Sequence, residues 1–373
     1  MAIDLTKMPK LGFGLMRLPQ KDNEIDIDTV CNMVDKYMAA GLNYFDTAYV
    51  YHGGYSEVAA RKAIVERYPR ESFFLATKLP AWSLKSSEDR DRIFNEQCER
   101  AGVDYFDFYL LHSIEEGGNY NNYEKFECFK WGVEKKKEGK IRHFGFSFHG
   151  SPELLERILD DHPEVEFVQI QLNYLDWDNP VIASGRLHEI LSSRGVPMII
   201  MEPVKGGTLA APPPEALDKF NAARPGASAA SWALRFVASQ SGVMTILSGM
   251  STEDQMADNI NTFTHFAPLS DAEKQVIEDV KSIMQGKPTI GCTACRYCTD
   301  GCPQGIRIPD IFSLINAIRI YNEGWRAKNF YNSHIASAAR ASDCIGCGQC
   351  EGVCPQHLPI IELLKDASAQ LDT

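Results

Sequence analysis

Residues 73–112 read FFLATKLPAWSLKSSEDRDRIFNEQCERAGVDYFDFYLLH and contain the repeating unit that decides the fold. An apolar run, Phe73–Leu79, is followed by Ser87–Ala101, where apolar residues recur every three to four positions, and then by a second apolar run, Tyr105–His112. Short apolar runs are typical of strands buried on both faces, and the spacing between them is typical of an amphipathic helix. The stretch therefore predicts a strand–helix–strand unit with parallel strands.

The same alternation extends from Leu11 to about Phe266. The predicted strands are Leu11–Leu18, Tyr44–Ala48, Phe73–Leu79, Tyr105–His112, Arg142–Phe148, Phe167–Leu172, Pro197–Val204 and Met244–Met250. The predicted helices are Asp26–Ala40, Ser56–Arg67, Ser87–Ala101, Tyr123–Glu138, Pro152–Asp160 and Val181–Arg194. Helix-ending glycines (Gly41, Gly102, Gly139 and Gly195) and the Ser151-Pro152 helix start support these bounds.

Eight such units predict a (β/α)8 barrel, which needs roughly 250 residues. An open doubly wound sheet is the alternative, but it favours a Gly-x-Gly-x-x-Gly turn after its first strand. Only Gly12-Phe13-Gly14 occurs there, and it lies inside the predicted strand. We therefore expect an α/β protein whose barrel covers residues 1–268.

Cysteine is concentrated in the remaining part of the chain. Of 11 cysteines, only Cys31, Cys98 and Cys128 precede residue 292, and we expect these three to fill packing positions. The other eight form two sets, Cys292-x2-Cys295-x2-Cys298-x3-Cys302-Pro303 and Cys344-x2-Cys347-x2-Cys350-x3-Cys354-Pro355. Each cysteine of the second set lies 52 positions after its counterpart in the first, so the two sets are an internal repeat.

This spacing is typical of bacterial ferredoxins with two [4Fe–4S] clusters, in which the fourth cysteine of each set ligates the other cluster. The predicted ligands are Cys292, Cys295, Cys298 and Cys354 for one cluster, and Cys344, Cys347, Cys350 and Cys302 for the other. Two zinc sites are the alternative, but zinc sites normally use pairs of Cys-x2-Cys. With predicted helices at Asp271–Met284, Ile308–Tyr321 and Ala327–Arg340, residues 269–373 resemble the α-helical ferredoxin domains of larger oxidoreductases.

The composition narrows the choice of partners. With 38 basic and 50 acidic residues the formal charge is −12, which argues against nucleic acid or an anionic membrane as a partner. No apolar stretch approaches the roughly 18 residues of a membrane span, and the N-terminus has no secretory signal pattern. We expect a cytoplasmic location, where clustered thiols indicate a metal or redox site.

Polar residues stand where three successive predicted strands end. Asp46 and Tyr51 follow the second strand, Lys78 the third, and His112 the fourth. Catalytic groups of such barrels lie at these strand ends. A free tyrosine has a pKa near 10, so we expect Lys78 to lower the pKa of Tyr51 and Asp46 to keep the lysine charged. His112 would donate a hydrogen bond to a substrate carbonyl.

These residues carry a resemblance to a known family. The motifs Gly12-Phe-Gly14-Leu-Met-Arg17, Asp46-Thr-Ala-x-x-Tyr51, Thr77-Lys78 and Leu111-His112 make residues 11–266 similar to an aldo/keto reductase. The resemblance implies a catalytic tetrad of Asp46, Tyr51, Lys78 and His112, with tyrosine as the general acid and hydride from a nicotinamide bound without a Rossmann fold. Its implied cofactor contacts are Ser147, Gln169, Ser248, Gly249, Gln255 and Asn259, with Lys205 and Gly206 as further candidates for a phosphate.

The sequence also departs from the family pattern. Ser147-Phe148 replaces the usual Ser-Asn pair, and Met201 stands where an aromatic residue usually stacks on the nicotinamide. The segment after the eighth strand carries Glu253 and Asp254 instead of basic residues, which disfavours the 2′-phosphate of NADP. The cofactor is therefore left open between NAD(P)H and a flavin such as FMN.

The two halves differ in the number of electrons they handle. A nicotinamide transfers two electrons as hydride and a [4Fe–4S] cluster transfers one, and a flavin can do both. The first hypothesis is an oxidoreductase that reduces a carbonyl or activated C=C group of a small molecule, with a barrel cofactor exchanging electrons with the clusters and with a one-electron partner such as ferredoxin. The alternatives are an NAD(P)H-dependent carbonyl reductase with structural or regulatory clusters, and a non-catalytic electron-transfer or redox-sensing protein.

Overall fold

Eight parallel strands close into a barrel in the computed structural model of the chain, as the sequence predicts. In the order of their pairing they are β1 (Leu11–Gly14), β4 (Tyr44–Asp46), β5 (Phe74–Pro80), β6 (Phe106–Ile114), β7 (Ile141–Phe148), β8 (Phe167–Gln171), β9 (Met198–Met201) and β10 (Val243–Ser248), and β10 pairs again with β1. A short antiparallel ribbon of β2 (Gln20–Lys21) and β3 (Glu24–Ile25) follows β1. Each of the eight predicted runs overlaps one barrel strand.

The structure describes residues 5, 8–22, 24–115, 118–179, 182–286, 290, 292, 297–321, 324–354 and 358–372. The predicted ligand Cys295 and the predicted helix start Val181 lie outside them. The chain divides into two compact units. The barrel unit comprises residues 1–210 and 226–274, and the cysteine unit comprises residues 211–225 and 275–373. The division at residue 268 stays a prediction.

Helices follow most of the barrel strands and form much of the cysteine unit. They are α1 (Ile27–Ala39), α2 (Tyr55–Ala60), α3 (Asp89–Ala101), α4 (Gly118–Lys125), α5 (Cys128–Lys137), α6 (Pro152–Asp161), α7 (Ser184–Ser193), α8 (Pro214–Ala223), α9 (Ala229–Ala238), α10 (Glu253–Thr264), α11 (Asp271–Gln285), α12 (Tyr297–Asp300), α13 (Ile308–Tyr321), α14 (Gly324–Phe330), α15 (Gln349–Gly352) and α16 (Ile360–Leu371). In the described part of the chain, no helix is long and apolar enough to cross a membrane.

The predicted helix ends are confirmed in the barrel unit. The Ser151 side chain accepts a hydrogen bond from the Leu154 amide at 3.2 Å and so caps α6. Backbone φ is positive, between 67° and 77°, at the four glycines after α1, α3, α5 and α7. Glycine adopts this conformation without strain, which is why the helices end there.

One predicted helix, Tyr123–Glu138, is wrong as a single element. The structure has α4 and α5 instead, separated at Glu127, whose φ is +48°. Arg90 donates hydrogen bonds to the carbonyls of Phe126 and Glu127, so the carbonyls at the break have partners without a continuous helix. Similarly, the predicted helix Ala327–Arg340 ends earlier, because α14 passes into a wider π-helical turn at Tyr331–Ile335.

Successive strand residues alternate between two cores. In β6, Phe108 and Leu110 point into the barrel, whereas Tyr109 and Leu111 pack in the larger core between strands and helices. The two-sided burial explains why the strands are mainly apolar. Of the isolated cysteines, Cys128 is buried in the outer core and Cys31 and Cys98 pack against it, as predicted.

Candidate active site and cluster cysteines

The four side chains of the predicted tetrad lie at one end of the barrel. Asp46 ends β4, Tyr51 begins a 3-10 turn after it, Lys78 lies in β5, and His112 lies in β6. These strands are neighbours in the sheet, and parallel strands end at the same face of the barrel. The fold therefore brings all four predicted residues together.

Lys78 is the electrostatic centre of the tetrad. Its side chain is fully buried, and its Nζ lies 2.5 Å from Asp46 Oδ1 and 2.8 Å from the carbonyl oxygen of Thr47. Burial alone would lower the pKa of Lys78, but the charge of Asp46 and hydrogen bonds with Asp46 and Tyr51 outweigh it and raise that pKa. Lys78 therefore keeps its proton at neutral pH.

Tyr51 lies over this ion pair. The centroid of its ring is 4.9 Å from Lys78 Nζ and 5.9 Å from the centroid of the His112 ring. Burial raises the pKa of Tyr51, and the charge of Lys78 opposes that rise. The prediction that Lys78 lowers the pKa of Tyr51 is therefore wrong. The cost of removing the phenolate from water exceeds the attraction of one ammonium group.

His112 is held as a neutral imidazole. Burial lowers its pKa well below the usual value, and the positive charge of Lys78 lowers it further. Its Nδ1 atom is buried and has no hydrogen-bond partner among the described residues. The half-exposed ring of Trp82 lies 5.3 Å from the imidazole, centroid to centroid. A neutral imidazole keeps one N–H, so His112 is suited to donate a hydrogen bond to a substrate oxygen.

A second buried network lies around β5, and sequence reasoning missed it. The Thr77 hydroxyl donates to Glu57 Oε1 at 2.7 Å. Gln97 Nε2 lies 3.0 Å from both that carboxylate oxygen and the carbonyl oxygen of Lys78. The Tyr109 hydroxyl donates to Gln97 Oε1 at 2.6 Å. The network fixes the backbone of β5 at Lys78, the lysine of the predicted tetrad.

The position of Gln97 in the sequence could have predicted this network. Gln97 shares the buried face of α3 with Ile93, Phe94 and Ala101. A polar side chain inside an apolar helical stripe is buried, and a buried amide must find hydrogen-bond partners.

Ser147 and Gln169, the predicted nicotinamide contacts, are register partners on β7 and β8. Both are buried. Ser147 Oγ accepts a hydrogen bond from the Ser113 amide at 2.7 Å, and Gln169 Nε2 lies 3.5 Å from the sulfur of Met201. Gln169 Oε1 is buried and has no hydrogen-bond partner among the described residues. Because buried acceptors normally have a donor, this oxygen fits the N–H group of a bound carboxamide or flavin ring.

The other predicted cofactor contacts cluster after β10. Asn259 Nδ2 donates to Ser248 Oγ at 2.9 Å, and Gln255 Oε1 accepts from the Ser251 amide at 2.7 Å. A Cβ atom on Gly249 would lie 3.2 Å from Cδ of Arg17. The contacts after the eighth strand are therefore near one another in the fold.

The sequence suggests Lys205 as a phosphate contact and assigns no such role to Arg17, but the structure favours Arg17. Lys205 Nζ lies 2.6 and 2.7 Å from the two oxygens of buried Asp176, so its charge is already paired. A Cβ atom on Gly206 would lie 3.5 Å from Arg17 Nη2. The half-exposed Arg17, 3.8 Å from Glu202, is thus the cation beside the glycines after both β9 and β10.

Four cysteines border one cavity in the other unit. They are Cys302, Cys344, Cys347 and Cys350, the set that the sequence predicts for one cluster. None of the cysteines that the structure describes forms a disulfide. Within the described ranges no three His, Cys, Asp or Glu side chains converge on a single-ion site. In a four-iron cluster each thiolate binds a different iron, so its ligands surround a volume and do not converge.

The other predicted ligands belong to the same core. Cys298 is buried in the core of the cysteine unit, and Cys292 and Cys354 pack against it. The fourth member of this set, Cys295, lies outside the described residues.

Comparison with known proteins agrees with this geometry. The model of the aldo/keto reductase family matches residues 10–282. The chain belongs to the aldo/keto reductase family. Residues 291–358 match the model of the 4Fe-4S dicluster domain. This aldo/keto reductase is therefore an oxidoreductase with a C-terminal 4Fe-4S dicluster domain.

Individual relatives of this aldo/keto reductase are distant. An aldo-keto reductase of Mycolicibacterium smegmatis is 28% identical over 214 residues, which cover 56% of this chain and 69% of the relative. L-galactose dehydrogenase of Arabidopsis thaliana is 26% identical over 297 residues, covering 75% of this chain and 91% of the relative. The holo form of an aldo-keto reductase of Bacillus halodurans has a TM-score of 0.59 at 25% identity and covers 73% of this chain and 91% of its own.

Proposed function

We propose that this aldo/keto reductase reduces a carbonyl-like or activated C=C group of a small molecule, with Tyr51 as the proton donor. We further propose that a flavin or nicotinamide in the barrel exchanges electrons with two [4Fe–4S] clusters. The observation that carries the catalytic part is the buried pair of Lys78 and Asp46 beneath Tyr51, beside a neutral His112.

A carbonyl oxygen that becomes an alcohol must gain a proton. Tyr51 holds a proton at neutral pH, since the ordinary pKa of a phenol is near 10 and burial raises the pKa of Tyr51 further. After donation a negative charge remains on the phenolate, and Lys78 stabilises it, since Asp46 and the Thr47 carbonyl hold the ammonium group in place. His112 donates a hydrogen bond to the same substrate oxygen and so orients it.

Ser147 and Gln169 are the residues that would hold the reactive ring of the cofactor. Gln169 Oε1, which has no hydrogen-bond partner in the described part of the chain, supports this assignment because it supplies a buried acceptor for a ring amide. When bound, a nicotinamide or flavin supplies the hydride that reduces the substrate. Ser248, Gly249, Gln255 and Asn259 would contact the remainder of the cofactor.

The charges near the end of β10 favour a cofactor without a 2′-phosphate. Glu253 and Asp254 begin α10, and because the Glu253 carboxylate is paired with Lys36, Asp254 is the carboxylate that would repel a 2′-phosphate. Lys205 is neutralised by Asp176. NAD or FMN therefore suits these residues better than NADP, with Gly206 allowing a phosphate to approach Arg17.

For the clusters we propose the ligand sets that the spacing predicts. Cys344, Cys347, Cys350 and Cys302, which border one cavity, would hold one cluster. Cys292, Cys295, Cys298 and Cys354 would hold the other. The oxidoreductase would work in the cytoplasm with a one-electron partner such as ferredoxin.

The first test is the cofactor content of protein purified without oxygen. Bound flavin with about eight irons per chain supports the proposal. Iron without flavin, together with rapid NAD(P)H-dependent reduction of simple aldehydes, supports the alternative of a carbonyl reductase whose clusters are structural or regulatory. Iron without any turnover supports a non-catalytic electron-transfer or sensing protein.

The second test concerns the proton donor. Tyr51→Phe is expected to lower turnover by about 10²–10⁴-fold, the usual contribution of a general acid. Tyr49→Phe is the matched control, because the Tyr49 hydroxyl donates to Glu96 Oε2 at 2.6 Å and not to the tetrad. Equal turnover of the two variants excludes Tyr51 as the acid.

A further inference from the structure

Helix α16 lines the thiol cavity, our name for the cavity bordered by Cys302, Cys344, Cys347 and Cys350. Its residues Ile361 and Leu364 contribute to that lining, and Leu364 is buried in the core of the cysteine unit. Both ends of the helix also make hydrogen bonds to the chain on either side of residues 344–350, here called the cysteine segment. The cysteine segment supplies three of the four ligands proposed for the cluster in this cavity.

The first contact lies at the 3-10 turn Ala341–Asp343, which leads into the cysteine segment. Asp372, directly after the end of α16, accepts a hydrogen bond from the Ser342 amide at 3.0 Å through Oδ2. Its Oδ1 accepts from the Tyr331 hydroxyl at 2.8 Å, and the same hydroxyl accepts from the Ala341 amide at 2.6 Å. Tyr331 is fully buried and the Asp372 side chain is only 12% exposed, so water competes weakly for these hydrogen bonds.

The second contact lies directly after the cysteine segment. Glu351 Oε1 accepts a hydrogen bond from the Ile361 amide in the first turn of α16, at 2.9 Å. The first amides of a helix have no partner within the helix, and the helix dipole favours a carboxylate there. The contacts at residues 361 and 372 are about 16 Å apart along the helix, since each residue adds roughly 1.5 Å. Helix α16 therefore fixes the separation of the two flanks of the cysteine segment.

The cysteine segment has little backbone structure of its own. Residues 344–348 belong to no helix or strand, and Gly346 and Gly348 have positive φ. The amides of residues 345–348 donate no hydrogen bond to another residue that the structure describes. Ordering such a segment costs conformational entropy that its own backbone does not offset, so the positions of its thiols depend on how its two ends are held.

We infer that Asp372, Tyr331 and Glu351 are positioning residues for the cluster in the thiol cavity, and that they act by bracing the cysteine segment against α16. This inference rests on the proposed ligand sets. The brace holds three thiols close to the separation that the cluster requires, so binding of the cluster orders less of the chain. Without the brace the segment opens more often, and the iron of this cluster is lost faster than that of the other.

The test measures iron release to an excess of an iron chelator from full-length holoprotein purified without oxygen. Asp372→Ala is expected to release about four of about eight irons roughly tenfold faster than the unmodified protein, because the turn before the cysteine segment loses the hydrogen bonds of a charged group. The other four irons should be released at the unchanged rate. A variant that already lacks about four irons after purification gives the same result.

The second flank is tested independently. Glu351→Ala removes the acceptor of the Ile361 amide and should also accelerate the release of about four irons. Glu351→Gln keeps an oxygen that can accept this hydrogen bond, so it should release iron at nearly the parental rate. This rescue by the conservative variant separates the hydrogen bond from a general effect of changing the residue.

The hydroxyl of Tyr331 and a control carboxylate complete the set. Tyr331→Phe removes only the group between Asp372 and the Ala341 amide, and should act in the same direction as Asp372→Ala. Asp366→Ala is the matched control, because Asp366 is an exposed carboxylate of the same helix. It should leave the release of all iron unchanged.

Cysteine variants assign the released iron to one cluster. Cys298→Ser should retain only the cluster in the thiol cavity, and adding Asp372→Ala should accelerate the loss of all remaining iron. Cys302→Ser should retain only the other cluster, and adding Asp372→Ala should leave its release rate unchanged. A helix that merely stabilises the whole cysteine unit would affect both clusters alike.

The outcomes separate the two proposals. If neither Cys298→Ser nor Cys302→Ser lowers the iron content by about four per chain, the proposed ligand sets fail and this inference fails with them. If both lower it, but Asp372→Ala and Glu351→Ala release iron at the parental rate or accelerate both clusters equally, the ligand sets stand and the positioning role of these residues is overturned.

Discussion

Replacing Lys78 with methionine tests the electrostatic centre of the site. Asp46 is 2% exposed, its Oδ1 contacts Lys78, and its Oδ2 has no hydrogen-bond partner among the described residues. Water cannot replace the lost cation at so buried a carboxylate. Breaking a buried ion pair by removing one partner costs about 3–5 kcal/mol. In a domain of this size that loss corresponds to a fall of roughly 10 °C in Tm.

Lys205→Met provides a matched control for stability. Lys205 also pairs with a buried carboxylate, Asp176, but Asp176 accepts further hydrogen bonds from Gln171, Asn173 and Asn179 at 2.9–3.2 Å. The carboxylate keeps these partners when the lysine is removed. The expected loss for Lys205→Met is therefore only about 1–2 kcal/mol.

Calorimetry and denaturant unfolding of the two single variants measure this difference. The double variant Asp46→Asn/Lys78→Met also removes the negative charge that Lys78→Met leaves buried without a partner. It should recover at least half of the lost stability, while turnover stays lost. The reasoning is refuted if Lys78→Met is no less stable than Lys205→Met, or if the double variant is as unstable as Lys78→Met alone.

Three further predictions concern other groups. Because the pKa of His112 lies well below its usual value, kcat/KM should show no inflection from this group between about pH 6 and 8, and His112→Asn should lower kcat/KM without changing the shape of the profile. Arg235 holds the pKa of Glu273 at about 2, against an ordinary value of 4.5, and because solvent screens this partly exposed pair, Glu273→Gln should cost about 1 kcal/mol in urea unfolding at pH 7. That stabilisation is present above about pH 4.5 and is lost as the pH falls through about 2, and the variant should then unfold like the parent. Cys302→Ser should lower the iron content by about four per chain, whereas Cys128→Ser should leave it unchanged.

The barrel was predictable because its signal is local and repeated. Each strand is buried on both faces, so runs such as Phe73–Leu79 are mainly apolar, with Thr77 and Lys78 as the polar exceptions, and are easy to recognise. Helix ends were predictable for the same reason, since Ser151 caps α6 by accepting a hydrogen bond from the amide of Leu154, three residues later. The break between α4 and α5 was not predictable, because the group that satisfies it, Arg90, lies 36 residues away from Phe126 in sequence.

The tetrad was predictable as a set of residues but not as a set of pKa values. Strand ends of a parallel barrel meet at one face, so Asp46, Lys78 and His112 could be placed together before any coordinates. The sign of the pKa shift of Tyr51 depends on how deeply its ring is buried relative to its distance from Lys78. No pattern along the chain predicts the relative size of these two effects on the pKa of Tyr51.

The pairing of Lys205 shows the same limit for the cofactor site. A lysine after the seventh strand of such a barrel suggests a phosphate contact, but Asp176, 29 residues earlier, already compensates its charge. Arg17 stands in the first motif of the chain and approaches the glycines after β9 and β10 only because the barrel closes, with β10 pairing with β1. Which cation is available to an anion here thus depends on the three-dimensional fold and cannot be judged from distance in sequence. The proposed preference for a cofactor without a 2′-phosphate rests instead on the acidic start of α10, where Asp254 lies, and on Asp176, which compensates the charge of Lys205.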